Sequence, residues 1–438
     1  DNDAWRLVLI RSLAKLSTVY THSSHGGDKD KRQGLGVKCF QMLGFLMKRS
    51  PQAEEEILSV VREIIIEPLS DRSQQDLPVI TLQALSTLES SKLPEALRPI
   101  VRWLAKMYCE PSSTYPHPDL AKLLAVATCN EFNAKEALRA DMWSKEKEGM
   151  DCLPNQVIAS LGNKKSMAED CREQYISHLM IMQNIAKVKE EAVDTFEERD
   201  VQRDLMERFK DFFGDDIDGN RQKGLNLISK THVNLRTCAH ILGALTALLS
   251  NRAVLFDLLD QDQAWGSFDK PCGRFLQYVS IAPKASPVAD PLLLAASLRG
   301  QLAVLKTYPC DNPPIRNQIT AQIVKDLERM KPMLELIDFN SSKYRELYIA
   351  ADKHLLAKEG RMQALGVVTH APRFANLHNT LVHECFIAVV ELVEYFSAEA
   401  QNDRLCAEVS EVMNGQDRET LLFKLLEVPS DPVQDAVM

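Results

Sequence analysis

The sequence predicts an all-α protein, an α-solenoid of stacked antiparallel helix pairs, from three observations. Leu and Ala lead the composition of its 438 residues, aromatics make up 6% and glycines number 17, which is a helix-forming vocabulary. Apolar residues recur at three- and four-residue spacing in segment after segment, without a strand signal between them. Most breaks are short and carry Pro, Gly, Asn, Asp or Ser, so consecutive helices are expected to lie antiparallel as hairpins.

The first helix is expected over residues 4–20, with Leu7, Ile10, Leu13, Ala14 and Leu16 on one face. A polar, Gly-containing turn at 22–30 leads to a second helix over 33–49. Ser50 and Pro51, good N-cap and N1 residues, open a third over 51–66, where Glu54 to Glu56 suit the positive end of the helix dipole. Further helices are expected at 75–89, 94–108, 118–130, 132–147, 168–193, 197–213, 221–230 and 232–250. The rhythm resumes at 273–281, 289–307, 314–337, 342–358, 373–397, 400–412 and 417–428.

Two of these helices say most about packing. From His232 to Ser250 apolar residues, Leu245 among them, cover most of the circumference, so neighbours must surround this helix. From Glu384 to Phe396 the charges Glu384, Glu391 and Glu394 fall on one narrow edge, which is expected to be solvated. Helices buried on several sides, in a chain of hairpins with no sheet, suit stacked layers better than one bundle.

The array divides into an N-terminal helical-repeat block, 1–144, an irregular connection at 145–169 holding a weak short helix, and a central block, 170–260. A connection rich in Pro, Gly and Asp follows at 261–290, and a C-terminal block at 291–438. Both connections are candidate functional loops.

Charge and cysteine usage exclude several classes. A formal charge of -9 argues against nucleic-acid binding, which needs concentrated Lys and Arg. Short basic clusters such as Lys29-Asp30-Lys31-Arg32 and Lys164-Lys165 read as solvated loop charges. The ten cysteines stand singly, with no Cys-x-x-Cys pair, as reduced thiols of an intracellular protein, cytoplasmic or nuclear. The charged opening DNDAWRLVLIRSL does not read as a signal peptide, and the longest uncharged stretch, Thr237 to Asn251, is too short to insert in a membrane.

The chain closes on LLFKLLEVPSDPVQDAVM, Leu421 to Met438, in which paired leucines run into a Pro/Asp turn and a new apolar face begins. This stretch resembles a HEAT repeat of the HEAT/armadillo-like class: Asp431, Val433 and Ala436 fall on the familiar turn and second-helix positions, and Gln434 stands where an Arg often follows the Val. The resemblance covers about one repeat. It implies a fragment of a longer array whose missing remainder is itself a partner. Leu422, Leu425, Leu426 and Val433 would then form a face that docks the next repeat or another protein.

Catalytic, cofactor and metal motifs are absent by their spacing. In Phe212 to Gly224, FFGDDIDGNRQKG, setting Gly219 at the sixth position of a calcium loop places Gly214 first and Leu225 twelfth, where ligands are required. His378 and His383 point about 140° apart around a helix, away from a common metal. No phosphate-binding glycine loop or nucleophile elbow occurs. The expected function is therefore a non-catalytic protein–protein interaction scaffold or adaptor subunit of a larger complex. The alternatives are a solenoid regulator of a small GTPase, a transport receptor wrapping a protein cargo, and, behind both, an enzyme of unrecognised type.

Overall fold

Helix signals in the sequence become helices wherever the computed structural model describes the chain: residues 2–22, 29–47, 51–67, most of 82–109, 117–139, 153–163, 171–213, 232–249, 291–307 and parts of 387–398. No strand occurs among the described residues, and the protein is all-α. The chain forms two compact units, Asp1–Arg199 and Asp200–Met438. Their boundary falls inside the block read as 170–260.

In the first unit α1 (Asn2–His22) and α2 (Lys29–Met47) pack along one another, and α3 (Pro51–Val61) packs on both. The helix opened by Pro51 continues as a π-helical turn, Arg62–Ile66, closed by the Glu67 N–H donating to the Arg62 carbonyl. This turn puts both Ile65 and Ile66 in the core. Gly44 of α2 lets the chain come close to residue 87, where a Cβ would stand 3.3 Å from the Thr87 carbonyl oxygen.

The helix expected over 94–108 is broken. It runs as α4 (Leu93–Ala96), a 3-10 turn (Arg98–Ile100) and α5 (Val101–Cys109), because Pro99 cannot donate to the ladder. Next, α6 (Pro118–Thr128) is capped by His117, whose Nδ1 accepts from the Asp119 N–H at 3.3 Å. Asn130 caps α7 (Glu131–Ala137) by accepting from the Asn133 N–H at 3.2 Å.

The connection read as irregular over 145–169 contributes a core helix, α8 (Leu153–Gly162), with Leu153, Val157 and Leu161 buried. The single helix expected over 168–193 is two, α9 (Arg172–Ala186) and α10 (Glu190–Glu198), separated where Lys189 turns extended. Neither Gly, Pro nor a capping side chain marks this break. After α10 the chain turns at Asp200, which has φ 52, a left-handed conformation that Asp tolerates.

In the second unit α11 (Val201–Phe213) packs on α12 (His232–Leu249), and α12 packs on α13 (Pro291–Thr307). Cys238, Ile241, Leu242, Ala244 and Leu245 are all 0% exposed, so α12 is the core helix that its composition announces. The edge of Glu384, Glu391 and Glu394 needs correction. Glu394 is exposed, but Glu391 is half-buried and accepts from Arg299 of α13 at 3.0 Å from both Nε and Nη2. A carboxylate three residues from the exposed Glu394 can still meet a guanidinium supplied by another helix, which no local pattern displays. Glu384 lies outside the described residues.

Candidate protein-docking surface

The sequence of α1 is apolar on two sides. Ile10, Leu13 and Ala14 enter the core, as expected, whereas Leu7 and Leu16, assigned to the same face, do not. On the far side Trp5 is 78% exposed, Val8 57%, Leu9 47% and Leu16 42%. At about 100° per residue these four span roughly a 100° arc, with Ser12 among them. The Ser12 hydroxyl donates to the Val8 carbonyl at 2.7 Å, satisfying itself within the helix.

The second helix repeats the arrangement. Gly36, Cys39, Phe40, Leu43 and Met47 are buried, while Leu35 and Met42 stand 44% and 53% exposed. Because α1 and α2 pack side by side and are joined through residues 23–28 alone, they are antiparallel. Equal rise then puts Leu16 level with Leu35 and Leu9 level with Met42. The exposed apolar residues of the two helices thus occur at matching heights along one hairpin.

Ion pairs hold this hairpin to α3. Arg6 grips Glu56 with two bonds, Nε to Oε2 at 2.9 Å and Nη2 to Oε1 at 2.8 Å, and Arg11 Nη2 reaches Glu63 Oε2 at 3.4 Å. The Arg6 guanidinium keeps the Glu56 carboxyl below its ordinary range, chiefly by hydrogen bonding and further by its charge, against the opposing effect of burial. All charged side chains described on α1 and α2 are basic: Arg6, Arg11, Lys15 and Lys38. Lys15 and Lys38 are exposed.

The interior of the same unit is built the opposite way. Helix α9 packs on α6 and α8, and it buries Arg172, Gln174, Ser177 and His178 among its leucines and isoleucines. His178 Nδ1 lies 2.6 Å from the Tyr108 hydroxyl of α5, with the two rings edge-on. Burial pushes the His178 imidazole down to about 3, so it is neutral at pH 7. Asn133 is also fully buried and donates to the Pro94 carbonyl at 2.6 Å and the Ala127 carbonyl at 3.0 Å, tying α4, α6 and α7 together.

These polar groups have a structural chemistry. His178 has 0% exposure, out of reach of a dissolved substrate. Among the described residues no group of three or more His, Cys, Asp or Glu is placed to hold a metal ion. The segments tested above for calcium and zinc spacing, 214–224 and 378–384, lie outside the described residues.

The docking face assigned to Leu422, Leu425, Leu426 and Val433 also lies outside the described residues. The hairpin surface was missed, although a signal existed: α1 holds more apolar residues than one buried stripe can use. Trp5, Val8 and Leu9 are the surplus.

No family model matches the chain, and no curated protein matches it. Among solved structures the chain is distantly similar to two crystal structures of engineered proteins from the Northeast Structural Genomics Consortium. One is 13% identical with a TM-score of 0.39, covering 68% of this chain and 97% of that one. The other is 12% identical with a TM-score of 0.37, covering 98% of this chain and 97% of that one. At this level of similarity the likeness says nothing of function.

Proposed function

We propose that this protein is a non-catalytic interaction scaffold or adaptor, with its helix pairs stacked in the HEAT/armadillo-like manner and partner proteins held on their outer surfaces. The observation that carries the reading is the exposed apolar seam of the first hairpin, from Trp5 to Leu16 on α1 with Leu35 and Met42 on α2. A single exposed leucine needs no explanation, but six large apolar side chains left in solvent on one hairpin are the kind of exposure that accompanies association sites. Aromatic and Met side chains are also the types enriched in such interfaces. No described helix is long and apolar enough to cross a membrane, which accords with partners met outside the bilayer.

Photo-crosslinking tests the reading. A benzophenone amino acid placed at Val8 or Met42 of the full chain should give discrete protein adducts in the cells that make it, and one at exposed Lys106 should not. Equal labelling at all three positions, or none above background, would discard the scaffold reading.

A further inference from the structure

We draw no further inference here: the strongest candidate, the surface patch of exposed apolar side chains at Trp5, Val8, Leu9 and Leu16 of α1, carries none because nothing in the structure shows what covers it.

Discussion

Helices α1 and α9 belong to the same unit and draw on similar residues, yet each inverts the usual partition in its own direction. Helix α9 carries an Arg, two Gln or Asn neighbours, a Ser and a His into or beside the interior, and α1 carries Trp5, Val8, Leu9 and Leu16 out to solvent. The costs differ. A polar group taken inside must find its partners within the fold, as Tyr108 does for His178 and as the Ala125 carbonyl does for Asn184 Nδ2 at 3.2 Å. An apolar side chain left outside loses only the transfer free energy of its exposed area, which another surface can later restore. The inward inversion specifies the layer in which α9 sits, and the outward one leaves apolar area in contact with solvent.

The largest expected effect breaks the contrast directly. Leu179 of α9 is fully buried, so Leu179→Asp takes a carboxylate out of water into the interior and should cost several kcal/mol, enough to unfold the unit. Leu9→Asp on α1 should shift stability by no more than about 1 kcal/mol. Urea unfolding of both variants measures this. Comparable losses would mean that Leu9 is covered in solution and the seam is already occupied.

Acid should come next, and it separates the two regions by pH. His178 has a folded pKa of about 3 against 6.5 when unfolded, so the unfolded chain binds more protons between those values. Stability should therefore be unaffected above pH 6.5 and fall as pH drops through the window towards 3, by up to about 1.4 kcal/mol per pH unit. In the second unit, burial first and Arg236 second push His240 of α12 to about 3 as well, and the same window applies. The Arg6–Glu56 pair behaves oppositely in cause: its carboxylate is held low, so its contribution is intact above 4.5 and lost only below that. Hydrogen exchange at pH 7.5, 6 and 5 should show α9 loosening before the α1–α3 contact. The reverse order would refute the assignment of His178 as the first group to respond.

The smallest effect sharpens the cost of the inward inversion. Tyr108→Phe keeps the ring and removes the hydroxyl beside His178 Nδ1, and should destabilise by about 1–3 kcal/mol. In addition the acid midpoint should shift, since the imidazole loses a neighbour that favours one neutral form. A neutral outcome in urea at pH 7.5 would show that the hydroxyl–imidazole contact contributes nothing net.

Much of this was legible one residue at a time. Pro51 starts α3 and Pro118 starts α6 at the places their chemistry suggests, and the all-round apolar cover of 232–250 announces the burial of α12. Pro99 was equally visible, but a helix period running through 94–108 hid the 3-10 turn it enforces. The separation of α9 from α10 at 187–189 was not visible, since no local residue demands it.

The sequence by itself determined that the chain is helical, where most helices begin, and that more apolar faces exist than one surface per helix can hide, because propensity, capping and period act within a few residues. Only the tertiary structure decided which of two apolar faces on α1 is covered, that α9 buries its histidine against Tyr108, and that Glu391 meets Arg299. Each of those choices depends on what another helix, dozens of residues away, places opposite the side chain, and no spacing within a single helix encodes it.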